Sequence, residues 1–387
     1  MSDDNCNNCR YRENTLIARG DGAFDSTGSI SVPVYRSATY VHGSLEHEEN
    51  GFYYSRCATP TRRALEKQVA TLEHGADALA VTSGLAAMDV IMRLFEPGDK
   101  IIVSGDIYGG SYRLFDQVYS RYGIIFDFVD TWDIARVKEA VTGNTKGFFI
   151  ETPSNPMLRI TDIKAVSEIA GEIGATLIVD NTFLSPLLQK PIDLGADIVI
   201  HSATKFLAGH HDVLAGIIVT KTKEMWEKLS FYVMSVGNPL SADDSWLTLR
   251  GIETLSVRMQ RQQENAWELV SFLKTLPVVK SVIYLGDNEH PDHEIAKKQQ
   301  RGFGAMISFE VKDASKAPSY FEKFKIIYQA GSLGGVQSLV SLPNYSLQCP
   351  VPEKLRSHTG VNDALFRLSV GIEDVEDLKE DLAQALS

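Results

Sequence analysis

The residue pattern predicts an α/β protein: a large domain on a mostly parallel sheet, followed by a smaller α+β C-terminal domain. Three observations carry this. Short runs rich in Ile and Val alternate with helical stretches between about residues 77 and 220, the mark of strand–helix–strand units. Those strands are apolar throughout instead of alternating, as in a sheet covered on both faces. After Ser245 the alternation gives way to long helical pattern and a few isolated strands.

The segment 1–60 contains Pro33, several glycines and little periodicity, and is expected to be an irregular arm reaching a neighbouring subunit. From Thr61, Leu65, Val69 and Leu72 fall on one helical face. The next stretch, LAVTSGLAAMDVIMRLF, predicts a strand, a turn of small residues and an apolar helix. IIVSG predicts a strand and SYRLFDQVYSRYG the helix behind it. IIFDFVD, GFFIE, ATLIVDN, ADIVIHSA and AGIIVTK predict further strands, with IKAVSEIAGEIG as a helix among them. The large domain is thus placed at 61–245. Within 246–387, WLTLRGIETLSVRMQRQQENAWELVSFLKTL predicts one long helix and GDNEHPDHEIAKKQQ a loop. LFRLSVGIEDVEDLKEDLAQAL predicts a strand, a turn and a helix.

Of 387 residues, 44% are hydrophobic and 23% charged, which excludes a disordered or collagen-like chain. No apolar run approaches the roughly 18 residues of a membrane span. The polar start MSDDNCNNCRYRENT lacks the features of a signal or transit peptide, so the expected location is the cytoplasm. A net charge of −12 with dispersed Lys and Arg disfavours nucleic acid as a partner. Any anion must therefore be held by a locally built site. The four cysteines form no disulfide framework. Cys6 and Cys9 make a lone C-x-x-C without a second pair, so no metal is expected there.

The chemistry gathers between Asp180 and Gly216. Asp180 ends the strand TLIV, and Lys205 lies just past the strand DIVIHS. In a parallel sheet both then sit at the strands' carboxyl ends, where ligands bind. A lysine there has the lowered pKa that a Schiff-base lysine needs. A carboxylate on the adjacent strand suits the pyridinium nitrogen of pyridoxal 5′-phosphate (PLP). By spacing alone, a surface lysine and a turn-capping aspartate serve equally well.

The run SATKFLAGHHD resembles the PLP-attachment motif of the Cys/Met metabolism (transsulfuration) enzymes. Motifs of that family appear in order from VPVYRSATY to RLSVGIEDVEDL. The resemblance implies the type I aminotransferase-like fold and a homotetramer, a dimer of dimers with shared active sites. It also implies roles. Lys205 matches the lysine that carries the cofactor, and Asp180 the carboxylate at the ring nitrogen. Ser83, Gly84 and Leu85 match the phosphate loop, where helix N-terminal amides suit an anion. Ser202 and Thr204 match further contacts to phosphate and lysine. Tyr108 matches the tyrosine stacked on the ring. Tyr54 and Arg56 match the pair that reaches the neighbouring subunit's phosphate. Glu151 and Asn155 match a strand-end pair, the Asn near the cofactor's phenolic oxygen. Arg367 matches the arginine that clamps the substrate carboxylate, where a bidentate guanidinium fits, and Ser332 the serine beside it. Catalysis is assigned to Lys205, Tyr108 and Asp180, and substrate binding to Arg367, Ser332 and Asn155. His201, His210 and His211 are taken as structural.

Several positions depart from the family pattern. Thr59 replaces the usual Asn of Y-x-R-x-x-N-P-T, and Cys57 lies nearby as packing. Gly331 stands where γ-synthases and γ-lyases carry Glu, and Gln337 replaces Glu in V-E-S-L. Ser346, Leu347 and Gln348 replace M-T-H. Gly109 and Gly110 occupy the place of the Cys found after Y-G in many methionine γ-lyases. DIYGGSYRLFDQV and the stretch from Trp246 to Asn265 most resemble cystathionine β-lyases. The function implied is a PLP-dependent carbon–sulfur lyase that converts cystathionine or a related sulfur amino acid to pyruvate, ammonia and a thiol. γ-Elimination or γ-replacement is the alternative within the family. A PLP-binding regulatory protein is the alternative from another class.

Overall fold

The computed structural model describes residues 11–20, 27–41, 51–346, 351–353 and 358–387. Cys6, Cys9, Leu347 and Gln348 lie outside the described residues. Seven strands form the large sheet: β1 Asp77–Val81, β2 Lys100–Ser104, β3 Ile125–Val129, β4 Thr145–Glu151, β5 Thr176–Asp180, β6 Ile198–His201 and β7 Gly216–Thr220. Their order is β1-β7-β6-β5-β4-β2-β3. Pairing from β6 through β5, β4 and β2 to β3 is parallel, while β7 runs antiparallel to both β1 and β6. The sequence marks β7 as a strand but not its reversal.

Both faces of this sheet are buried. Ile178, Ile198, Ile200 and Ile218 pack on one side with Met88, Ile91 and Phe115. Val179, Val199, Ile217 and Val219 pack on the other with Leu65, Val69 and Ile163. Period-2 alternation between two covered faces is why these strands are apolar throughout.

A second sheet contains β8 Val279–Ile283, β9 Met306–Val311, β10 Tyr328–Gln329, β11 Leu339–Ser341 and β12 Leu365–Ser369, in the order β10-β11-β12-β9-β8. It is antiparallel except for β10 with β11. The rings of Phe309 and Phe366, directly paired across β9 and β12, stack with centroids 5.0 Å apart. Alternation along β12 therefore sends Phe366 and Leu368 into the core and Arg367 to the opposite face.

Three expectations are corrected. The long helix is two, Ala242–Ile252 and Leu255–Leu273. They break where Gly251 packs against Ala208; a Cβ on Gly251 would lie 2.1 Å from the Ala208 carbonyl oxygen. The N-terminal segment contains a helix, Glu13–Arg19, bound to its own chain through Glu13 to Lys190 (2.6 Å) and Arg301 (2.8 Å). The supposed loop after β8 contains a helix, His293–Gln299. The helix behind β2 is irregular, widening to π-type bonding over Arg113–Val118 and tightening to 3₁₀ over Tyr119–Tyr122. Among the described residues no helix is long and apolar enough to cross a membrane.

Candidate active site

A cavity of about 210 Å³ opens at the carboxyl ends of β4, β5 and β6, with Ser332, Leu333 and Arg367 from the second sheet's side in its wall. Lys205, Asp180, Ser83, Gly84, Leu85, Tyr108, Glu151, Asn155, Ser202, Thr204, Ser332 and Arg367 all line it. Tyr54 and Arg56 do not. They lie together elsewhere, the Arg56 guanidinium 5.5 Å from the Tyr54 ring centroid and bonded to the Met234 carbonyl at 3.0 Å.

Lys205 is fixed by a loop that leaves β6 and returns along β7. Thr204 Oγ1 donates to the Ala215 carbonyl (3.1 Å) and accepts from the Ala215 amide (3.0 Å), which closes the loop. These two bonds fasten the loop that carries the lysine. Lys205 Nζ donates to Ser332 Oγ at 2.8 Å. Burial, aided by the charge on Arg367, lowers its amine to about 8. Ser332 has φ of +85°, a left-handed conformation unusual for a serine. Strain of this kind collects at functional sites. The Ser332 carbonyl accepts from Arg367 Nη2 at 2.7 Å. Gly334 lets this loop approach the lysine backbone, because a Cβ there would lie 2.6 Å from the Phe206 nitrogen.

Arg367 also donates from Nη1 to Asn155 Oδ1 at 3.0 Å. Its buried Nε meets no acceptor among the described residues. Burial lowers the guanidinium to about 10, still charged at neutral pH. A buried cation with an unmet donor fits a carboxylate supplied by a ligand.

Asp180 is buried, and its Oδ1 accepts from the Thr182 amide (3.0 Å) and hydroxyl (2.5 Å). Both bonds end on one oxygen, so Oδ2 is left for a ligand's donor. Burial raises the Asp180 carboxyl, while Thr182 and the charge of His201 oppose that. Glu151 is pushed well above the usual carboxylate range, first by burial and then by Asp180. Its Oε2 accepts from the Tyr108 amide at 2.9 Å, which orients the turn carrying the Tyr108 ring. Gly110 lets that ring lie flat against the chain, since a Cβ there would sit 2.4 Å from Tyr108 Cε1.

Ser83 caps the helix Gly84–Met92, its Oγ accepting from the Ala86 amide at 3.0 Å. The first-turn amides of Gly84 and Leu85 have no intrahelical partner and point out of the helix start, toward an anion. A Cβ on Gly84 would lie 3.0 Å from Ser202 Cβ, so the helix end and the lysine loop meet closely. Sequence reasoning missed Thr182, Met88, Pro153, Phe183, Leu214 and Leu333 in this wall. Thr182 alone had a signal, a hydroxyl two residues after an aspartate at a strand end. The apolar members had none.

The donors fit PLP. Charge-complementary groups for a phosphate, a protonated ring nitrogen and an amino-acid carboxylate face one cavity that also holds a half-buried amine. The chain matches the family model "Cys/Met metabolism PLP-dependent enzyme" over residues 14–387. It is 45% identical to a cystathionine gamma-lyase of Bacillus subtilis, over 97% of this chain and 99% of that protein. It is 46% identical to a cystathionine beta-lyase of Lactococcus lactis, over 96% and 97%. Its fold superposes on the crystal structure of cystathionine gamma-lyase from Lactobacillus plantarum complexed with L-serine, with TM-score 0.94, 42% identity and coverage of 97% and 98%. The chain therefore belongs to the Cys/Met metabolism PLP-dependent enzymes, the transsulfuration group of carbon–sulfur lyases and synthases, and its cofactor is pyridoxal 5′-phosphate.

Proposed function

We propose that this enzyme cleaves L-cystathionine or a related sulfur amino acid by α,β-elimination, yielding pyruvate, ammonia and a thiol. The observation that carries the reading is the meeting of a half-buried amine with depressed basicity and a buried guanidinium with an unmet donor on one serine, Ser332.

PLP, when bound, supplies an electron sink for charge developing at the substrate α-carbon. Gly84 and Leu85 amides and the Ser83 hydroxyl would hold its phosphate, Asp180 its ring nitrogen, Asn155 its phenolic oxygen side, and Tyr108 its ring face. Arg367 would bind the substrate carboxylate, with Nε and its charge available for that purpose. The Lys205 amine, brought near neutrality by burial, removes the α-proton and can return it to a leaving group. Ser332 Oγ aims that amine. The apolar walls from Met88, Phe183 and Leu333 exclude water and strengthen each of these charge interactions.

β-Chemistry is favoured by Gly331, which stands where γ-synthases and γ-lyases carry Glu. The second reading, γ-elimination or γ-replacement, rests on the similarity to the Bacillus subtilis gamma-lyase. In it the same Lys205 amine moves a second proton. Tyr54 and Arg56, apart from this cavity, would complete the phosphate site of a neighbouring copy in a homotetramer of the cytoplasm. The division into an arm (1–60), a cofactor domain (61–245) and a small domain (246–387) belongs to the same proposal.

Incubation of the purified holoenzyme with L-cystathionine, followed by identification of the keto acid, tests the reading. Pyruvate is expected. 2-Oxobutyrate would establish γ-cleavage, and cystathionine formed from cysteine and an acyl-homoserine a synthase. A protein that binds PLP yet turns over no sulfur amino acid would point to the regulatory alternative.

A further inference from the structure

The helix Leu255–Leu273 carries three polar side chains with almost no exposure: Arg258 (3%), Gln262 (0%) and Asn265 (1%). Spacings of four and three put them on one face. Each donates to main-chain carbonyls of a different segment around the active site. Arg258 reaches Phe206 (2.9 Å) and Leu207 (3.2 Å), immediately after Lys205, and also Gly251 (2.8 Å) and the Thr254 hydroxyl (3.1 Å). Gln262 reaches Gly335 at 2.8 Å, three residues after Ser332. Asn265 reaches Gly371 (3.1 Å) and Glu373 (2.9 Å), on the chain leaving β12 and Arg367.

A helix that needed only to pack would present Leu or Met at these places, because buried polar groups cost free energy unless fully bonded. Arg258 is the extreme case: all its hydrogen bonds end on neutral oxygens. Gly209 permits the approach, since a Cβ there would fall 2.1 Å from Arg258 Nη1. The bonds of Lys205 and Arg367 to Ser332 join three segments that are far apart in the chain. Something must hold those segments in register, and this helix touches all three.

We propose that Arg258, Gln262 and Asn265 are positioning residues that set Lys205, Ser332 and Arg367 relative to one another. The inference rests on the assignment of Lys205 to the cofactor and Arg367 to the substrate carboxylate. It divides the labour: Arg258 governs the lysine, Asn265 the arginine, and Gln262 the serine loop between them.

The test uses holoenzyme variants Arg258→Met, Arg258→Lys, Gln262→Leu and Asn265→Leu. Three quantities are read: kcat and KM for L-cystathionine, binding of L-alanine (an amino acid without a leaving group), and the pH midpoint of the cofactor's visible absorbance. Asn265→Leu should raise KM and weaken L-alanine binding by about tenfold, as expected for a sub-ångström misplacement, with the midpoint unmoved. Arg258→Met should move the midpoint by about 0.5 pH unit or more and lower kcat, with Arg258→Lys partly restoring both. Gln262→Leu should change KM and midpoint together. If Arg258→Met does not fold, Arg258→Lys against Gln262→Leu and Asn265→Leu decides the matter. Variants that lose thermal stability while KM, kcat and midpoint stay at wild-type values overturn the proposal. A Lys205→Ala control separates the layers. Normal turnover by Lys205→Ala sinks the underlying assignment. An inactive Lys205→Ala beside wild-type kinetics in the other variants sinks the positioning role alone.

Discussion

Lys205 is placed where an ammonium is poorly solvated, so replacing it should stabilise the cofactor-free protein. Burial, with the charge of Arg367, takes its amine from 10.5 to about 8. That fall corresponds to about 3 kcal/mol at about 1.36 kcal/mol per pH unit. Between about pH 8 and 10.5 the unfolded chain binds more protons than the folded one, so stability rises with pH across that window. The penalty is therefore fully present below about pH 8 and fades as the pH approaches 10.5. Lys205→Met keeps the side-chain bulk and removes the charge. It also loses the bond to Ser332 Oγ, worth about 1 kcal/mol, which leaves a net gain of about 2 kcal/mol at pH 7. Unfolding entropy of about 2.1 cal/mol/K per residue, over 387 residues, converts this to about 2–3 °C in Tm. Scanning calorimetry of cofactor-stripped wild type and Lys205→Met at pH 7 and pH 10 measures it. The advantage of the variant should vanish or reverse at pH 10. A variant less stable than wild type by the same margin at both pH values would refute the reasoning.

Arg367→Lys removes the two-pronged contact to Asn155 and Ser332 and the free Nε, and should lower kcat/KM about a hundredfold, mainly through KM, in steady-state assays; hydrogen bonds to charged groups are worth about 1.5–3 kcal/mol. Gly110→Ala puts a Cβ 2.4 Å from the Tyr108 ring and should weaken PLP binding about tenfold in an absorbance titration, in line with the loss of one aromatic contact. Gly331→Glu adds a side chain where nothing lies within 4 Å of its Cβ. It should leave stability within about 0.5 kcal/mol and raise the share of 2-oxobutyrate among the keto acids from L-cystathionine.

Asp180 and Lys205 were legible as candidates because strand ends and ligand chemistry coincide in a parallel sheet, and the family resemblance decided between that reading and a surface lysine with a turn-capping aspartate. Asn155 and Arg367 were marked by the family resemblance alone. Phe183, Leu214 and Leu333 were not legible, since an apolar residue in a loop carries no mark of what it faces. The break between Ile252 and Leu255 was hidden by a periodicity that continues on both sides of it. The close approach of Gly251 to Ala208 beside the break is a tertiary contact with no local mark. The helices Glu13–Arg19 and His293–Gln299 have seven residues each, too short to be stable by propensity. The first is held by Lys190 and Arg301 and the second by bonds such as Gln299 Nε2 to the Thr161 carbonyl (3.2 Å). Such long-range partners leave no local pattern. Arg258 shows the same limit: its charge lies on a buried helix face, and two of the three carbonyls that justify it, those of Phe206 and Leu207, are far away in the chain.

The reversed strand β7 has a mechanical result. Because it returns beside β6, the lysine loop is moored at both feet to neighbouring strands of one rigid sheet, and Thr204 and Ala215 tie those feet together. A loop leading into a crossover helix would have one firm foot and could recoil when its lysine let go of a partner. Here the main chain is a fixed pivot. The amine's travel is set by the four-carbon stem alone, so each return stroke begins and ends over the same patch of the cavity floor.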